Sequence, residues 1–108
     1  MGILIVTTHA PDREVALKIA HALIERKLAA CINILADCTS VYRWRGKLET
    51  AIEVPLIIKT RTEIYDELEA AIRSLHPYEL PEIVAVPVER GLSDYLDWVA
   101  AETVTEIG

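Results

Sequence analysis

A chain of 108 residues, 52% of them hydrophobic, is long enough for one domain with its own core and too short for two of ordinary size. Its 17 acidic residues outnumber 11 Lys and Arg, giving a net charge of −6, and the basic residues form no run. That balance excludes nucleic acid and disfavours anionic membrane surfaces as partners.

The N-terminus "MGILIVTTHAPD" has no basic stretch, and Thr7 ends its apolar run. It is read as a first strand of a cytoplasmic protein, neither signal peptide nor membrane span. Pro11 then suits a helix start, with Asp12 in the first turn. In the following helix Val15, Ile19, Ala22 and Leu23 share one face, and His21 falls on the solvated side.

From Leu28 to Trp44 the chain is rich in β-branched and apolar residues and reads as one long strand, turning at Arg45-Gly46. The return strand alternates clearly, with Leu48, Ile52, Val54, Leu56 and Ile58 against Lys47, Glu49, Glu53 and Lys59. Pro55 marks a bulge or an edge position. Cys31 and Cys38, seven residues apart on one unbroken strand, would lie about 23 Å apart on opposite faces and could not pair. Both read as small buried thiols.

Thr60 and Glu63 suggest a capping box for a second helix carrying Ile64, Leu68, Ala71, Ile72 and Leu75. Pro77 ends that helix and holds His76 out of helical geometry. "EIVAVPV" is a fourth strand, and Ser93 caps a short final helix with Leu96, Trp98 and Val99. The order predicts a single α+β domain over 1–108, a ferredoxin-like βαββαβ sandwich with an antiparallel sheet, a long hairpin between the second and third strands, and a C-terminal helix.

Paired strands of about 14 residues span roughly 46 Å, against a radius of gyration near 13 Å for a domain of this size. The hairpin should therefore overhang its own core. An arm with an apolar face and Tyr42 and Trp44 near its tip calls for docking on another copy of the chain, and cyclic symmetry satisfies every arm at once.

For covalent catalysis Cys31 and Cys38 lack a local histidine, no nucleophile elbow occurs, and the four glycines are too scattered for a phosphate loop. Copper, a soft cation, would look to Cys31, Cys38, His9 and His76, which form no local chelate. His76 has an ordinary place at a helix C-terminus, where its ring meets free carbonyls. Lys59, in an apolar strand end, needs a partner if covered, and Glu79 is the expected one.

The segments "KLAACINI", "SVYRWRGKLE", "EVPLIIKT", "HPYELPEIVAVPV" and "YLDWV", in this order and spacing, closely resemble the CutA family of divalent-cation tolerance proteins. The resemblance implies a homotrimer similar in architecture to the nitrogen-regulatory PII proteins, with the long hairpins forming intersubunit sheets. It also implies a role in tolerance of copper and other divalent cations, through signalling or scaffolding. Cys31, Trp44, Lys59, His76, Tyr78, Glu79, Pro81, Tyr95 and Trp98 stand at the family's characteristic positions. All of these except Pro81 are the candidate lining of an intersubunit cleft. Metal contacts proposed for some members use a cysteine near the end of the first strand and a His-His pair before the proline. Here those places hold Thr7, Thr8, Leu75 and His76, so His76 is the candidate metal residue, with copper or another divalent cation as the possible cofactor. The leading expectation is a cytoplasmic homotrimer without catalytic turnover, with no nucleic-acid or membrane partner. The alternatives are a metal-binding protein proper and an enzyme with a small-molecule site between subunits.

Overall fold

The computed structural model describes residues 2–104. Five strands and three helices follow in the order β1 (Ile3–Ala10), α1 (Arg13–Glu25), β2 (Cys31–Ile34), β3 (Cys38–Trp44), β4 (Lys47–Arg61), α2 (Tyr65–Leu75), β5 (Ile83–Pro87) and α3 (Ser93–Glu102). All pairings are antiparallel, in the spatial order β2-β4-β1-β5, with β3 continuing beside β4. This is the ferredoxin-like sheet expected from the sequence.

Alternation decides the two faces. Val54, Leu56, Ile58 and Thr60 of β4 point to one side with Val6, Thr8 and Ala10 of β1, and all are buried. Against them pack Ala16, Ile19, Ala20 and Leu23 of α1 and Leu68, Ala71 and Ile72 of α2. Asp12 is the N-cap of α1, its carboxylate accepting from Val15 N at 2.8 Å, and His21 is exposed as expected. On the other face α3 covers only part of the sheet, anchored where Arg61 Nε donates to the Thr103 carbonyl at 2.6 Å.

The second predicted strand is two strands. The β2 ladder ends at Ile34↔Leu56 and the β3 ladder begins at Cys38↔Glu53, so three residues, 35–37, face two, Val54 and Pro55. Pro55 accepts from Leu35 N at 3.0 Å but has no N–H to return, and the ladder breaks around it as a bulge. The extra residue also reverses the parity. Cys31 opposes Lys59 and Cys38 opposes Glu53, so the two cysteines share a face rather than lying on opposite ones. Both are free thiols, and both are partly exposed rather than buried as expected.

Two expected caps are absent. Thr60 lies inside β4 with its hydroxyl donating to the Leu28 carbonyl at 2.7 Å, and a 3-10 turn, Thr62–Ile64, leads into α2 without a side-chain cap. At α3 the N-cap is Leu92, and Ser93 is the first helical residue.

The hairpin turns through Arg45 (φ 50°) and Gly46 (φ 80°) between the partners Trp44 and Lys47. Two successive positive φ angles define the two-residue turn whose twist matches the strands. The arm stretches the molecule to 44 × 28 × 23 Å with a radius of gyration of 14.4 Å. Val41, Leu48 and Ile52, on one face of the arm, are 64%, 72% and 59% exposed. No helix among the described residues is long and apolar enough to cross a membrane.

Candidate functional site

The site grows from the corner after α2. Pro77 forbids helical geometry at the preceding residue, and His76 accordingly takes φ −84°, ψ 133°, with its N–H closing the helix on the Ile72 carbonyl. Its ring turns back under the sheet. The β1–β5 ladder stops at Thr8↔Ile83, and one residue further His76 Nε2 lies 2.6 Å from the His9 carbonyl oxygen. Nδ1 accepts from Tyr78 N at 3.2 Å. One nitrogen therefore donates and the other accepts, which defines a neutral ring with both positions in use.

Tyr78 tilts against that ring, centroids 4.7 Å apart, and its phenol faces the Glu53 carboxylate. Burial first, then hydrogen bonding to Glu53 and that group's charge, push the Tyr78 pKa up to about 12. Glu53 is itself buried; Ser40 Oγ donates to its Oε1 at 2.6 Å, and His9 Nδ1 stands 3.6 Å from the same oxygen. His9 Nδ1 is also 3.3 Å from Glu82 Oε1. Above this group Arg45 pairs with Glu79 at 2.7 Å and lies 5.3 Å over the Trp44 ring, tying the hairpin tip to the corner. Between arm and corner opens a cleft of about 790 Å³.

Within the single chain the eight predicted cleft residues fall into two groups. Trp44, Tyr78 and Glu79 line this cleft, and His76 supports it from beneath. Cys31, Lys59, Tyr95 and Trp98 lie elsewhere, where α3 crosses the outer face of the sheet. There Tyr95 and Trp98 stack with centroids 5.6 Å apart. Burial, then the Cys31 thiol beside it, raises the Tyr95 pKa. Lys59 donates to Asn33 Oδ1, and Glu79 is paired with Arg45, so the expected Lys59–Glu79 pair is not formed within the chain.

The sequence reading missed Ser40, Glu53 and Glu82, and treated His9 only as an isolated ligand. Glu53 sits on the polar side of an alternating strand, which reads as a solvated face; the corner from 77 to 82 folds over it and buries it. The signal present was the charge itself, the one charged residue in the stretch from Ala51 to Ile58.

The residues do not fit a copper centre. His76 has no nitrogen to spare, and Cys31 and Cys38 are six β4 positions apart, about 20 Å. Among the described residues no group of three or more His, Cys, Asp and Glu side chains is placed to hold a metal ion.

Residues 4–102 match the family model described as CutA1 divalent ion tolerance protein. The divalent-cation tolerance protein CutA of Thermus thermophilus is 44% identical over 99 residues, covering 92% of this chain and 96% of its own. Its solved counterpart superposes with a TM-score of 0.93 at 43% identity, covering 94% of this chain and 99% of that one. The human protein CutA is 45% identical over 86% of this chain, which spans 52% of the human protein's length. A solved Archaeoglobus fulgidus CutA, described as periplasmic, gives a TM-score of 0.91 at 40% identity over 94% of this chain and 99% of its own. The chain belongs to the CutA1 divalent ion tolerance family.

Proposed function

We propose that the chain acts as a cytoplasmic homotrimer in divalent-cation tolerance, copper included, as a PII-like signalling or scaffolding protein without catalytic turnover. The observation that carries the assembly is the arm. Val41, Leu48 and Ile52 are exposed on it, and Val84 and Val86 are 53% and 57% exposed on β5. Among the described residues β3 pairs only with β4 and β5 only with β1, so each leaves one backbone edge open. Open apolar edges are unstable alone, and an arm from one copy laid against the edge of the next is a head-to-tail contact that closes as a ring.

The scaffolding reading, in preference to direct metal binding, follows from His76, whose two nitrogens are spent on holding the corner. Copper-sensitive growth of a strain lacking the protein should be restored by the unmodified chain and by His76→Gln, but not by a chain whose arm is shortened around Arg45-Gly46. Restoration by the short-armed chain would refute the role given to assembly. Loss of restoration in a folded His76→Gln protein would favour direct metal binding.

A further inference from the structure

The cleft between arm and corner has a charged floor and aromatic walls. The floor is Glu53, whose side chain is 10% exposed. A carboxylate offers about four acceptor positions, and Ser40, His9 and Tyr78 engage at most three of them. Glu82, its side chain 50% exposed, adds a second carboxylate, 3.3 Å from the same His9 Nδ1. Tyr42, Trp44 and Tyr78 supply rings, and Pro77 and Leu80 supply apolar surface.

The basic groups nearby do not cancel this character: His9 is one ring set against two carboxylates. Arg45 is already paired with Glu79. Arg43 borders the cleft, but its register with Leu48 sends its side chain to the opposite face of the arm from Tyr42 and Trp44.

We propose that this cleft binds a small organic cation bearing a primary ammonium group, the ammonium on Glu53 and Glu82 and the hydrocarbon portion among Tyr42, Trp44 and Tyr78. A desolvated carboxylate with acceptor capacity left gains most from a charged N–H donor. Aromatic faces carry negative potential and attract the same charge. The volume, about 790 Å³, is that of a small-molecule site, about 300–1,000 Å³. An anion would meet two carboxylates and a chain of net charge −6. A bare metal ion would meet too few ligands placed to hold it. Every residue named here belongs to one chain, and the arm face proposed to dock on a neighbour carries Val41, Leu48 and Ile52, opposite the face of Tyr42 and Trp44.

The test is calorimetric titration of the unmodified chain with 2-phenylethylammonium, against 2-phenylethanol and 3-phenylpropionate as neutral and anionic compounds of similar shape. The amine should bind at least about 10-fold more tightly than the alcohol, and the carboxylate should not bind. Glu53→Gln and Glu82→Gln should each weaken the amine about 10-fold and leave the alcohol unchanged. Because Glu82 is half exposed, its variant keeps the test decisive if Glu53→Gln does not fold. Equal binding of amine and alcohol, full amine affinity in Glu82→Gln, or no saturable amine binding at about 10 mM would each overturn the proposal. A monomeric mass would sink the assembly reading and leave this one standing.

Discussion

Placing lysine at Ile52 probes the proposed assembly at its apolar centre. In the single chain Ile52 is 59% exposed. Full burial of such a side chain is worth about 1.5–3 kcal/mol, so covering it with a neighbour contributes about 1–2 kcal/mol per copy. Taken together, Val41, Leu48, Ile52, Val84 and Val86 expose the equivalent of about three whole side chains, roughly 5–9 kcal/mol per subunit if all are covered. A domain's entire stability is about 5–15 kcal/mol, so assembly would supply a large share of it and the isolated subunit would be marginal. Ile52→Lys removes the apolar gain in all three copies, about 3–6 kcal/mol per trimer, and adds the cost of desolvating an unpaired ammonium. Sedimentation equilibrium and thermal unfolding at two protein concentrations read the effect. The unmodified protein should melt higher when more concentrated, as coupled folding and association requires. Ile52→Lys should lose mass and at least about 5 °C together, whereas Glu25→Lys on exposed α1 should lose neither. An Ile52→Lys protein with unchanged mass and melting temperature would refute the reasoning.

Three further outcomes are expected. Tyr78 should be the last of the four tyrosines to ionise, because its pKa rises from 10.0 to about 12. A raised pKa favours the protonated phenol in the fold, so its stabilisation is complete below pH 10.0 and lost as pH climbs through about 12. Spectrophotometric titration should show one phenol ionising after the other three, and that last step should be absent in Tyr78→Phe; no step later than the rest would contradict the burial of Tyr78 against Glu53. His76→Ala removes the hydrogen bonds to His9 O and from Tyr78 N, and should cost about 2–3 kcal/mol by denaturant unfolding while changing any micromolar copper binding only modestly. Abolition of a stoichiometric copper site in folded His76→Ala would reverse the metal assignment. Mass analysis without reductant should find both Cys31 and Cys38 free to alkylate, and a bond between them would show that β2 and β3 are wrongly placed.

What the sequence could and could not disclose follows from the range of each interaction. The return strand was legible because period-two alternation over 47–59 is a local signal, and its length alone foretold the overhanging arm. The bulge was announced by Pro55, but the break that it imposes on the opposite strand was not read, because Ala36 and Asp37 are only weak strand breakers within an otherwise strand-rich stretch. The capping box at Thr60 failed because a distant carbonyl, that of Leu28, takes the hydroxyl. At the site, Pro77 announced the corner. The meeting of His9, Ser40, Glu53 and Glu82 was invisible because four separate segments contribute one residue each, and only the sheet register brings them together.

The central claim is that the overhanging arm makes this chain a trimer in solution. Sedimentation velocity of the unmodified protein at micromolar concentration tests it most directly: a single species of three 12.1 kDa chains is the result the account predicts. A folded monomer, with Val41, Leu48 and Ile52 of the arm left in water, would contradict it.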